Sequence, residues 1–121
     1  MLPDRIVANR PTARPSRGLR SGSSRLVDSV ASLAVAGILT DHREIAWASI
    51  TFAGTRHSMT WFFNGAEAVE SGEALVVTLP DHEFRIPGYL VADATIVEIS
   101  SGQLPEPTMT VKVDILVLDE A

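Results

Sequence analysis

Three histidines, His42, His57 and His82, are the residues of this 121-residue chain with the widest chemical reach. An imidazole can hold a metal or move a proton near neutral pH. The three lie in different segments, and no two have the i, i+4 spacing by which a helix presents a ligand pair. Asp81, His82 and Glu83 follow Pro80, and Asp93 could join them in space as a further donor. The run nevertheless reads as an exposed hairpin corner, where Pro and Asp are at home, and no metal site is expected there. His57 is the more informative residue, because strand alternation places it on an apolar face with Phe52 and Met59. As a general base it would need a pocket and a carboxylate to orient it, and Asp93 is the candidate. Asp93 is expected instead to pair with Lys112 across the sheet. His57 is therefore read as a structural histidine at the sheet's end.

Other chemistry is sparse. The chain has no cysteine, so disulfides, thiolate metal sites, iron–sulfur clusters and Cys nucleophiles are excluded together. There is no Gly-x-Ser-x-Gly elbow, no P-loop and no Gly-x-Gly-x-x-Gly turn. The aromatics Trp47, Phe52, Trp61, Phe62, Phe63, Phe84 and Tyr89 could stack bases, but single-strand binders interleave such residues with Lys or Arg. Only Arg56 and Arg85 are near, so core packing is the expected role. No catalytic, cofactor-binding or metal-binding residue is assigned, and no cofactor is expected.

The elements that position these residues follow from periodicity. Ser23 and Ser24 can cap a helix from about Arg25 to Gly37, with Leu26, Val27, Val30, Leu33, Ala34 and Gly37 on one stripe and Val35 opposite it. From Glu44 the period changes to two. Glu44–Phe52 and Arg56–Phe63 read as strands, with Gly54-Thr55 as a tight turn between them. That register pairs Phe52 with His57, Ile50 with Met59, Ala48 with Trp61 and Ala46 with Phe63. It places Trp47 opposite Phe62 on the other face. Asn64-Gly65 opens a short helical turn, Ala66–Ser71, stopped by Gly72. Leu75–Leu79, Phe84–Ile86, Tyr89–Ile99 and Thr108–Leu118 read as strands. In the last, Met109, Val111, Val113, Ile115 and Val117 share one face. The sum is a two-layer α+β domain: one N-terminal helix packed on a mostly antiparallel sheet of five to six strands.

Composition sets the outer bounds. Hydrophobic residues make up 45% and charged residues 21%, which are globular values. Residues 1–22, rich in Arg, Pro and Ser, are expected to be a disordered basic tail, and 23–121 a single domain. Residues 1–25 hold six arginines against Asp4 alone, a net +5, while the rest hold four basic and 14 acidic side chains, a net −10. An acidic body disfavours nucleic acid, which leaves only the tail for such a partner. No apolar run nears the length needed to span a bilayer, and no signal-peptide core is evident. The expected location is cytoplasmic, without a membrane partner.

These features rank three functions. The first is a non-catalytic, protein-binding interaction or assembly module, most simply a homo-oligomer, with Ile45, Trp47 and Phe62 as interface residues. The second is a small-molecule binding domain or enzyme, with a pocket near His57, Met59, Trp61 and Phe63. The third is a regulator that uses the Arg-rich tail on nucleic acid.

Overall fold

The computed structural model describes residues 22–120. Residues 1–21 of the expected tail lie outside the described residues, whereas Gly22, expected as the tail's last residue, is buried and begins the first helix. Two helices and four strands run in the order α1 (Gly22–Leu33), β1 (Ile38–Ala48), β2 (Ala53–Asn64), α2 (Ala66–Thr78), β3 (Tyr89–Gly102) and β4 (Thr108–Asp119), with a short 3-10 turn at Leu79–Asp81. The strands form one sheet in the order β1-β2-β4-β3, and every neighbouring pair is antiparallel. The architecture is α+β, and the sheet has four strands rather than five or six.

α1 takes the expected phase. Leu26 and Val30 are buried, Ala34 follows them into the core, and Val35 is exposed. Ser23 lies within the helix, not ahead of it as a cap. The helix ends at Leu33, and the left-handed residue after it is Ala36, at φ 68°, rather than Gly37. Gly37 has a different duty. A Cβ there would lie 2.7 Å from the ring of Phe63, so the chain passes the core too closely for any side chain.

The two missing strands became other things. α2 runs unbroken through Gly72 and absorbs the segment Leu75–Thr78 that reads as β. Ala68, Gly72, Leu75 and Leu79 are buried, and this 4-3-4 spacing is one helical stripe. Gly72 does not stop the helix; it lets the helix lie against Phe63 and Met109. Phe84–Ile86 is reduced to a single bridge between Ile86 and Tyr89.

β4 is central and alternates cleanly, with Met109, Val111, Val113, Ile115 and Val117 buried beneath the helices. On β2 the same inner face carries His57, Met59, Trp61 and Phe63. Both strands are covered by α2, and Leu26 and Val30 of α1 join the same apolar cluster. The opposite face carries no helix among the described residues. β1 and β3 are the edges, and each is irregular: β1 shifts register between Leu39 and Asp41, β3 between Val91 and Asp93 and between Ile96 and Glu98. Such bulges bend and blunt edge strands.

Candidate functional site

The first hairpin decides which residues meet. Its turn is Ser49–Phe52, where the Ser49 amide donates to the Phe52 carbonyl at 2.8 Å and the Phe52 amide donates to Ser49 Oγ at 3.1 Å. Gly54-Thr55 is therefore not the turn but part of β2. Gly54 sits where a Cβ would fall 2.0 Å from the Val117 carbonyl oxygen, so its glycine serves strand-to-strand approach. The hairpin consequently pairs Glu44 with His57, His42 with Met59 and Leu39 with Trp61. The expected pairings of His57 with Phe52 and of Trp47 with Phe62 do not occur; Trp47 pairs with Gly54, and Phe62 with Ile38. Moving the turn kept the faces and exchanged the neighbours, because strand alternation depends only on parity.

The new neighbours are polar. His42 Nε2 and His57 Nδ1 lie 2.9 Å apart, with the rings stacked at 5.2 Å between centroids and 28° between planes. One ring donates its N–H and the other accepts. Glu44, two residues along β1 from His42, points to the same face, and Ser23 Oγ donates to Glu44 Oε2 at 2.8 Å. One ligand-type atom each from His42, Glu44 and His57 lies within 4.8 Å of the other two. His57 is 3% exposed, His42 half-buried and Glu44 exposed, so the cluster grades from core to rim.

Burial is the main influence on His57. It pushes the imidazole from its ordinary 6.5 down to about 4, with Glu44 pulling upward and His42 adding a smaller downward push. A neutral ring of such low basicity is a poor proton acceptor at neutral pH.

Glu44 and His57 open onto a cleft of about 190 Å3 between the first turn of α1 and one end of the sheet. Gly22, Ser23, Thr55, Tyr89, Val117 and Asp119 complete its walls. Met59, Trp61 and Phe63, expected in a pocket with His57, are packed core instead, none more than 3% exposed. Asp93 stands on the outer face opposite Leu116, away from His57, and its expected partner Lys112 pairs with Glu98 at 3.5 Å. Glu83 faces Arg85 at 3.5 Å. His82 lies exposed, edge-on to Phe84, and belongs to no ligand cluster among the described residues. Sequence reading missed His42 and Glu44. The signal was the His-x-Glu spacing on one strand face, which becomes informative only once the hairpin register brings His57 opposite.

The outer face holds the other candidate residues. Ile45 and Trp47 stand there on β1 and Phe62 on β2, with Ile38, Leu90, Leu116 and Leu118 on the same side. Ile38, Ile45 and Leu90 are at least half exposed, whereas Trp47, Phe62 and Leu116 are partly covered. Between them Asp41, Asp93, Glu98 and Asp114 mix with Arg43, Arg56 and Lys112. No helix among the described residues is long and apolar enough to cross a membrane. No family model matches the chain, and neither a curated protein nor a solved structure is significantly similar to it.

Proposed function

We propose that this chain is a non-catalytic assembly module that pairs with a second copy of itself through the outer face of the sheet. The observation that carries the reading is the bare face itself. Both helices cover the inner face, while Ile38, Ile45, Trp47, Phe62 and Leu90 stand on the other without a covering element among the described residues. Apolar side chains grouped on one surface favour burial against a partner. The polar residues between them argue for a second copy. Carboxylates and cations are interspersed, so a face turned upon itself by a two-fold axis can meet charge of opposite sign. A partner with a strongly signed surface would fit such a face less well.

Light scattering coupled to size exclusion tests this reading. The protomer mass is 13.0 kDa. The reading expects a two-fold species of about 26 kDa that dissociates on dilution. Trp47→Ala should shift it toward monomer more than Trp61→Ala does, since Trp61 is core and its loss acts on folding. A mass of one protomer at every concentration contradicts the reading.

A second reading is favoured by the cleft at Glu44 and His57: a binding domain for a small polar ligand. The cleft holds hydroxyl, phenol, imidazole and carboxylate groups from Ser23, Thr55, Tyr89, His57, Glu44 and Asp119. Its walls differ from the apolar pocket that the sequence suggests. The nucleic-acid reading depends on the arginines of the tail, all of which precede Gly22 and lie outside the described residues.

A further inference from the structure

We propose that His42, Glu44 and His57 form a binding site for one divalent d-block cation of the zinc class, with the cation's open coordination position facing the cleft. The site stands independently of the assembly reading and supplies a ligand for the second one.

The donor set argues for this class of ion. Two imidazoles and one carboxylate are a ligand set that zinc and its neighbours accept, with a fourth position left for water or substrate. Imidazole nitrogen is a borderline donor, so magnesium and calcium, which favour all-oxygen shells, are poor occupants. The three donors come from adjacent antiparallel strands. His42 and Glu44 share a face of β1 by alternation, and His57 of β2 is the cross-strand partner of Glu44. Register therefore fixes the constellation through backbone hydrogen bonds rather than through mobile loops.

The distances are those of a set that a cation would draw together. His42 Nε2 and His57 Nδ1 are 2.9 Å apart. Two nitrogens bound to tetrahedral zinc at about 2.0–2.1 Å stand roughly 3.3 Å apart, so the nitrogens must separate by a few tenths of an ångström and the rings must turn until their lone pairs converge on the ion. Glu44, exposed at the rim and held by Ser23, swings inward to complete the set. The hydrogen shared between the two rings moves to the other nitrogen of its own imidazole, and both facing nitrogens then present lone pairs. His57 is almost wholly buried, so packing fixes its ring with Nδ1 directed at His42 Nε2.

The cleft supports an open position. Thr55, Tyr89 and Asp119 line it beside Glu44 and His57, so a fourth ligand on the ion would meet hydroxyl and carboxylate groups. Ser23 would orient the carboxylate from outside the coordination sphere.

The test is calorimetric titration of zinc chloride into full-length protein stripped with EDTA and dialysed, with cobalt chloride as a visible-absorption probe. The expected result is one equivalent bound, with a dissociation constant in the micromolar range or tighter and cobalt bands typical of low coordination number. Magnesium chloride should give no heat. Glu44→Gln and His42→Gln should each weaken zinc by about tenfold or more. His82→Gln should leave it unchanged. His57 is core, so its replacement can fail by misfolding; Glu44, at the surface, therefore carries the decision, with circular dichroism confirming that Glu44→Gln is folded. Absence of zinc binding, equal binding of magnesium, or binding untouched by Glu44→Gln and His42→Gln would overturn the site. Molar mass recorded on the same samples reports assembly separately, so one proposal can fail without the other.

Discussion

His57 couples the site to stability. In the unfolded chain its imidazole titrates near 6.5, whereas in the folded protein burial holds it neutral down to about 4. Between those values the unfolded state binds the extra proton. Stability contributed by the neutral ring is therefore fully present above pH 6.5 and is lost as pH falls through the window toward 4. The whole shift corresponds to about 3 kcal/mol. Urea unfolding of metal-free protein at pH 7 and pH 5 should show a loss of about 2 kcal/mol in the parent that is absent from His57→Gln. Equal pH dependence in the two proteins would contradict the assignment. The burial of His57 was legible in the sequence from its place beside Met59. Its partners were not, because alternation names a face and only the turn names the neighbour.

At the scale of elements, two glycines carry information that a turn-and-breaker reading inverts. Gly54 looks like a hairpin turn and is a strand residue pressed against the Val117 backbone. Gly54→Ala drives a Cβ to 2.0 Å from that carbonyl oxygen, and neither backbone can yield cheaply. The expected cost is about 3 kcal/mol or more by chemical denaturation. Gly72 looks like a helix stop and is a helix contact, where a Cβ would lie 2.9 Å from both Met109 Sδ and the Phe63 ring. Gly72→Ala gains about 1 kcal/mol of helix propensity and loses roughly 1–3 kcal/mol to overpacking. The net should be destabilising by about 1 kcal/mol, clearly less than Gly54→Ala, because Met109 can adjust and a carbonyl cannot. The same Gly72 explains why Leu75–Leu79 reads as a strand. Cut at the glycine, the remainder is short and β-branched; joined across it, Ala68, Gly72, Leu75 and Leu79 form one stripe.

For the whole molecule, the layering was readable because Leu26 and Val30 of α1 and the alternating valines of β4 each demand a covering surface. Leu26→Ala, at a fully buried position, should cost about 2–5 kcal/mol. Strand order was not readable, since β4 inserts between β2 and β3 and only long-range pairing specifies that. The same topology leaves one sheet face covered and one open, and the assembly reading rests on that asymmetry. Hydroxyl-radical footprinting across a dilution series tests it most directly, because it reports association and its location together. The account predicts that Ile45, Trp47 and Phe62 become more reactive as the protein is diluted, while Val35 and Val77 on the helical side react equally at every concentration. Unchanged reactivity of Ile45, Trp47 and Phe62, or protection confined to Val35 and Val77, would contradict it.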